Sequence, residues 1–307
     1  MPINGLYGRS APRRAVFIFF DIFVAGSRYL RYNGADNGFF VWSDTMSSDV
    51  LELLRAAGGY ISGEKMAERL GVTRAAVWKK IAALRDAGYD ISSAPRSGYV
   101  LRSAPDRLIE TEIRRNLDTR LIGQKIICYD AVDSTNLVLK DLARAGAEDG
   151  TVVVADSQGT GRGRMERAFF SPPGKGIWVS ILLRPTFLPQ DAPKCTLMAA
   201  VAVARAMERF GLRAAIKWPN DIMHDGRKLV GILTEMSAEM DRVNYVVIGV
   251  GINVNIASED FPEELRSVAT SLMQMKGEPL PRVVFLQELL RALDELYAVV
   301  QSEGFAP

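Results

Sequence analysis

The stretch SAPD, residues 103–106, is a polar, proline-containing joint between two segments whose apolar residues repeat differently. Upstream they recur every three to four positions, as on the buried face of a helix. Downstream, short strand-like runs alternate with longer helical ones. The joint therefore reads as a domain boundary. At 307 residues, 48% of them apolar, the chain is long enough for two domains with a substantial core.

The upstream segment has the pattern of a helix-turn-helix with a wing. Val50, Leu51, Leu53 and Leu54 form an apolar face that ends at Gly58-Gly59, and a short β segment, YIS, follows. In GEKMAERLGVTRAAVWKKIAALRDAGYDI, Met66 and Leu70 mark one helix, Gly71-Val72 a tight turn, and Thr73 the N-cap of a second helix. Val77, Ile81 and Leu84 are expected to pack inward, leaving Arg74, Lys79 and Lys80 towards solvent, where they can meet a DNA backbone and groove. YDISSAPRSGYVL then reads as a two-stranded wing with Arg96 at its tip. Between Ser47 and Arg102 there are nine Lys/Arg and six Asp/Glu, a surplus of three. That surplus is modest, and such units also serve as docking or dimerisation modules, but a basic recognition helix and a wing together favour DNA.

Across the whole chain 38 basic residues face 36 acidic ones, so any contact with a polyanion must come from local clustering. Two cysteines, Cys128 and Cys195, make no disulfide framework and are expected in the core. One histidine, His224, cannot support a multi-histidine metal site, so a reducing cytoplasm without structural zinc is expected. Residues 1–45 are unusual: AVFIFFDIFVAG follows Arg9, Arg13 and Arg14 in the manner of a signal peptide, yet Asp21 interrupts it and no A-x-A site follows. The run is also shorter than the roughly 20 apolar residues that span a bilayer. Met46 immediately precedes the first well-formed pattern, so translation is expected to start there, with a docked extension as the alternative.

Beyond the joint, RLIETEIRRNL reads as a short helix and KIICYDAV as a buried strand. Further strand runs appear at GTVVVAD, GIWVSILL, RKLVGILTEM and NYVVIGVGINV, with CTLMAAVAVARAMERFG and VVFLQELLRALDELYAVVQ as helices between or after them. Several short motifs are set among these elements. DSTN (133–136) ends a strand and opens a helix, where Ser134, Thr135 and Asn136 can present hydroxyl and amide groups. In DSQGTGRGRMERAFFSPPGKG (156–176), Arg162 and Arg164 flank Gly163 on backbone that bends freely, a combination suited to an anion. KWPND (217–221) sets Lys217 and Asp221 around a proline, and GRKLVGIL places Lys228 at the mouth of an apolar strand. GVGINVN (249–255) lets backbone approach something closely, or marks a bulge. Each motif alone is compatible with an ordinary cap, surface ion pair or solvated loop.

Their joint order, DSTN, QGTGRGR, SPPGKG, KWPND, GRKLVGIL, GVGIN, resembles that of biotin protein ligases. With the winged helix in front, the chain is similar to the bifunctional bacterial form that is both ligase and biotin operon repressor. The resemblance covers about residues 47–307. It implies an α+β fold: a winged helix-turn-helix over 46–103, then over 104–307 a mixed-sheet catalytic domain of the biotin/lipoate-ligase, class II synthetase-like kind. It implies biotin, ATP and Mg²⁺ as cofactors. It further implies a carboxylase carrier domain and operator DNA as partners, a homodimer when the adenylate is bound, and a cytoplasmic, membrane-free setting.

By the same resemblance Ser134, Thr135, Asn136, Gln158, Arg162, Gly163, Arg164 and Lys228 contact biotin or its adenylate, with Arg162, Arg164 and Lys228 at the carboxylate and phosphate end. Lys217 and Asp221 lie by the triphosphate, Asp221 holding Mg²⁺, and Asn253 lines the same pocket. Two departures stand out. Glu166 occupies a position usually held by glycine and Phe169 one usually held by tryptophan. Glu166 is expected to pair with Arg167 or a neighbouring arginine and to weaken retention of the adenylate. Family members also commonly continue past EGFAP into a small β-barrel domain, and the chain is expected to lack it. The rival readings are a biotin-sensing regulator with weakened or lost ligase activity, and a lipoate or octanoyl ligase.

Overall fold

The computed structural model describes residues 21–24, 28–31, 45–159, 161, 169–218 and 220–305. By spatial contact the chain divides into two units, Met1–Pro105 and Asp106–Pro307. Within residues 1–45, strands β1 (Asp21–Val24) and β2 (Arg28–Arg31) pair as an antiparallel hairpin.

Among its described residues the first unit holds three helices around one core. Helix α1 (Thr45–Ala57) buries Val50, Leu51 and Leu54 and ends before Gly58, which turns the chain at φ 58°. Helix α2 (Gly63–Leu70) is capped by the Ser62 hydroxyl, which accepts from the Lys65 N–H at 3.1 Å, and stops at Gly71 in the left-handed region. Helix α3 (Arg74–Asp86) is capped by Thr73, whose hydroxyl accepts from the Ala76 N–H at 3.2 Å, and it buries Val77, Ile81 and Leu84 against the other two helices. Strands β3 (Asp90–Ala94) and β4 (Gly98–Ser103) form the wing hairpin. The expected YIS strand is reduced to an isolated bridge from Ile61 to Tyr99. There the backbone passes so close to Gly98 that a Cβ at that position would lie 2.1 Å from the Ile61 carbonyl oxygen, which, with a φ of 98°, only glycine accommodates.

The second unit opens with helix α4 (Glu110–Arg114) and is built on a seven-stranded sheet. In chain order come β5 (Ile126–Val132), helix α5 (Thr135–Arg144), β6 (Val152–Gln158), β7 (Gly176–Leu183), helix α6 (Lys194–Arg209), β8 (Ala215–Lys217), β9 (Asp221–His224), β10 (Arg227–Ala238), β11 (Val243–Asn253), helix α7 (Leu272–Lys276) and helix α8 (Arg282–Glu303). The strands lie in the order β5-β6-β7-β11-β10-β9-β8; β5 and β6 run parallel and every other pair antiparallel. Strand β7, GIWVSILL, is buried at all eight positions, because a central strand covered on both faces has no solvent side to pattern for.

Alternation along the strands sorts two faces. Val152, Val154, Ile177, Val179, Ile181, Val246, Ile248 and Val250 join α6 and α8 in the main core. On the other face Val153, Leu182, Tyr245 and Val247 pack under Leu139 and Ala143 of α5. Helix α8 ties the unit together through buried polar groups. Asp294 accepts from three consecutive backbone N–H groups, those of Arg120, Leu121 and Ile122, at 2.8–2.9 Å. Arg282, 3% exposed, donates to the Asp106 carboxylate at 3.2 Å and its carbonyl at 2.6 Å, to Asp156 at 3.0 Å and to the Gly176 carbonyl at 3.1 Å. Cys195 is buried and Cys128 half-buried, and burial pushes each thiol up to about 12, so both stay neutral at physiological pH.

Candidate functional site

On the α5 face the sheet changes character between β7 and β10. Where neighbouring positions carry Leu182 and Val247, the chain places Ser180 opposite Gly249, Gly249 opposite Leu233, and Gly251 between Trp178 and Gly231. The glycines and the small Ser180 leave a hollow in this face of the sheet, and a cavity occupies it. Its lining includes Ser134, Thr135, Asn136, Gln158, Phe169, Asn220, Lys228, Gly231, Gly249 and Gly251.

Each polar group arrives from a strand end or a helix start. Ser134 holds the N-cap position of α5 yet makes no side-chain cap bond, so its hydroxyl remains available to the cavity. Gln158, at the end of β6, accepts the Thr135 N–H at 2.9 Å through Oε1 and donates through Nε2 to Ser171 at 3.1 Å. Ser180 lies 2.7 Å from the Thr135 hydroxyl and 2.6 Å from Asn136 Oδ1. Thr135, Asn136 and Ser180 are all buried. The close approach anticipated for GVGIN is explicit: a Cβ at Gly249 would sit 2.2 Å from Asn136 Oδ1.

Towards the other end, Phe169 lies over Gly231 and Gly251, where added Cβ atoms would come within 2.7 and 2.9 Å of its ring, and it packs edge-to-face with Trp178, ring centres 5.9 Å apart. Lys228 Nζ stands 5.6 Å from the centre of that ring and 2.7 Å from Asp221 Oδ1. The Phe169 N–H donates to the Gly161 carbonyl at 2.6 Å.

The cavity thus brings together Ser134, Thr135, Asn136, Gln158 and Lys228 of the expected set. Arg162, Gly163 and Arg164, with Glu166 and Arg167, lie outside the described residues. Lys217 is exposed on β8 and is the register partner of Asp221, but neither belongs to the lining. Asn253 is buried and donates to the Thr270 carbonyl at 3.0 Å; the lining does not include it. The motif reading passed over Phe169 as a lining residue, and it passed over Asn220 and the two facing glycines Gly231 and Gly251. Their signal was Phe169 and Asn220 inside motifs already quoted, and glycine within otherwise apolar strands.

In the first unit Arg74 and Lys79 are exposed on α3, and Arg96 is exposed at the wing turn with φ 64°. Lys80 is half-buried instead of fully solvent-facing, since it falls on the flank next to Val77 and Ile81. Trp78, on the same helix, is 61% exposed, an outward aromatic that the periodicity did not single out.

A mixed sheet with a polar-ended cavity, preceded by a winged helix, defines the class, and comparison with known proteins agrees. Residues 129–253 match the biotin/lipoate A/B protein ligase family and residues 47–100 an HTH domain. The chain is 47% identical over 265 residues to the bifunctional ligase/repressor BirA of Bacillus spizizenii, covering 86% of this chain and 82% of that protein. It is 34% identical to the Escherichia coli bifunctional ligase/repressor BirA over 83% of this chain and 77% of that protein. Among solved structures it is similar to the biotin protein ligase from Aquifex aeolicus in complex with biotin and ATP, at 31% identity and a TM-score of 0.52, covering 59% of this chain and 74% of that one. The chain belongs to the family of bifunctional biotin protein ligase/repressors.

Proposed function

We propose that the cavity beneath α5 is where this ligase/repressor joins biotin to ATP, giving biotinyl-5'-adenylate and pyrophosphate, before biotin passes to a lysine of a carboxylase carrier domain. The single observation that carries the reading is one cavity lined by uncharged hydrogen-bonding groups at its buried end and by Lys228 at the other. Biotin has that same polarity, a neutral ureido head and a carboxylate tail.

In this reading Ser134, Thr135, Asn136 and Gln158 hold the ureido head, Phe169 packs on the ring system over the glycine floor, and Lys228 faces the carboxylate. The difficult part of the reaction is bringing that carboxylate against the α-phosphate of ATP, two anions that repel. Lys228, with Arg162 and Arg164 of the arginine–glycine sequence and Lys217 from β8, supplies positive charge where negative charge gathers. Oxygen of the biotin carboxylate bonds to the α-phosphorus as pyrophosphate leaves; in the second step a lysine amine bonds to the biotin carbonyl as AMP leaves. No side-chain nucleophile is needed, so the protein contributes position and electrostatics.

Magnesium fits this arrangement as a partner of the nucleotide. Among the described residues no cluster of three or more His, Cys, Asp or Glu side chains could cage a metal, and Asp221 is one carboxylate already paired with Lys228. A magnesium ion takes most of its ligands from phosphate and water, so a lone carboxylate suffices to steer it. We assign residues 46–103 to DNA binding through Arg74, Lys79, Lys80 and Arg96, 104–307 to ligation, and a homodimer to the adenylate-bound state that binds the operator. No helix among the described residues is long and apolar enough to cross a membrane, and a cytoplasmic site of action accords with that.

Incubating the protein with radiolabelled biotin, ATP and a carrier domain tests the reading. Labelled carrier supports ligation. Tight adenylate without transfer indicates the sensor, and charging by lipoate in place of biotin indicates the lipoyl ligase. Operator affinity that is equal with and without biotin plus ATP would remove the regulatory half.

A further inference from the structure

The hydrogen bonds behind the cavity fix which way each proton points. Asn136 Nδ2 donates to Glu235 Oε2 at 2.8 Å and to the Leu233 carbonyl at 3.3 Å. A carboxylate and a carbonyl can only accept, so the amide has one orientation, with Oδ1 turned towards Ser180. Oδ1 carries no proton, so the Ser180 hydroxyl, 2.6 Å away, must donate to it. Ser180 has a single proton, and its 2.7 Å contact with Thr135 is therefore made by the proton of Thr135. The longer 3.1 Å contact from Thr135 to Gln158 Oε1, which already accepts a backbone N–H, is left without one. Thr135 and Asn136 consequently offer only lone pairs to the cavity. Glu235 is itself held by Lys140 Nζ at 2.7 Å, and neither of the two belongs to the cavity lining.

We propose that Glu235 is a specificity-determining positioning residue: through Asn136 it orders the hydroxyl protons of Ser180 and Thr135 and makes the buried end of the cavity an acceptor surface for a ligand that brings two N–H donors. A cyclic urea is such a ligand. The inference rests on the reading that this end takes biotin's ureido head, and it adds why that head is preferred over an isostere of the same shape.

The Glu235→Gln variant keeps the size of the side chain but offers an amide that can donate as well as accept, so the orientation of Asn136 is no longer forced. The test is calorimetric titration of the full chain with biotin and with its cyclic carbamate, in which a ring oxygen replaces one ureido N–H, alongside the KM for ATP and the thermal midpoint. The unaltered protein is expected to prefer biotin about tenfold, the effect of one acceptor left unpaired. In Glu235→Gln biotin binding falls by about tenfold and the preference shrinks to within about threefold, with the KM for ATP unchanged. Lys140→Met, which leaves the acceptor in place, gives a smaller change. Should Glu235→Gln fail to fold, Ser180→Ala breaks the same chain one link further on and is expected to lose the preference equally. An undiminished preference in the folded variant overturns the inference and leaves the biotin site standing. Equal losses for biotin and ATP overturn it in favour of a purely structural role. Absence of biotin binding to the unaltered protein overturns both the inference and the reading beneath it.

Discussion

The two ends of the cavity are built by opposite means. At the buried end Thr135, Asn136 and Ser180 exchange short hydrogen bonds with one another, so their geometry is set before any ligand arrives. At the exposed end Lys228 rests on Asp221, with 35% and 25% of the two side chains open to solvent, and Lys217 lies on an edge strand exposed at all three positions. One end is neutral and fixed; the other holds charge in a pair that a phosphate or its metal ion can exchange into. In the proposed reading the contrast makes recognition of the head and management of the anions separable, because the first depends on shape and hydrogen-bond direction and the second on Coulomb forces that water and salt attenuate.

Removing the exposed cation should have the largest effect. Lys228→Met is expected to slow adenylate formation by about 10²–10³-fold in single-turnover kinetics while leaving the thermal midpoint in place. Normal chemistry in this variant would break the contrast. Next is Gly249→Ala, whose methyl group would stand 2.2 Å from Asn136 Oδ1 and force the amide aside. Biotin affinity by calorimetry should drop by on the order of a hundredfold, the upper part of the range for overpacking a fixed site, with little effect on nucleotide binding. Asp221→Asn should raise the Mg²⁺ concentration needed for half-maximal adenylation by about tenfold, since one charge-assisted contact is lost. The smallest change sharpens the comparison most directly. Raising ionic strength from low to physiological should increase the KM for ATP about two- to threefold and leave the biotin dissociation constant flat; equal sensitivity of both would show that the two ends are not distinct.

Much of the first unit was legible because its signals are local. Thr73 caps the helix it precedes, Gly71 turns left-handed where the motif needs it, and Val77, Ile81 and Leu84 are separated by one helical turn. Within the second unit the strands were legible from their apolar runs, and DSTN, Gln158 and Lys228 from motif order. What escaped notice was set by pairing across the sheet. Ser180 sits inside GIWVSILL and Glu235 inside KLVGILTEM, and in isolation each looks like a solvated position on a strand. Their meaning comes from Asn136, 44 and 99 residues away in the chain. Gly231 and Gly251 likewise acquire a purpose only once register places them opposite each other under Phe169. The flank position of Lys80 is a matter of degree: a three-residue apolar stripe leaves its neighbours at the margin, and periodicity alone does not say how far a side chain leans.

Arg282 bears on where a working fragment of this protein can begin. Its guanidinium is shared between Asp156, on the strand that leads into the arginine–glycine segment, and Asp106, the last residue of the SAPD joint. A truncation placed one residue too late would strand a charged group in the interior with half its counter-ions gone, at a cost of about 3–5 kcal/mol. An isolated ligase unit should therefore start ahead of Asp106, although composition alone would put that aspartate on the linker.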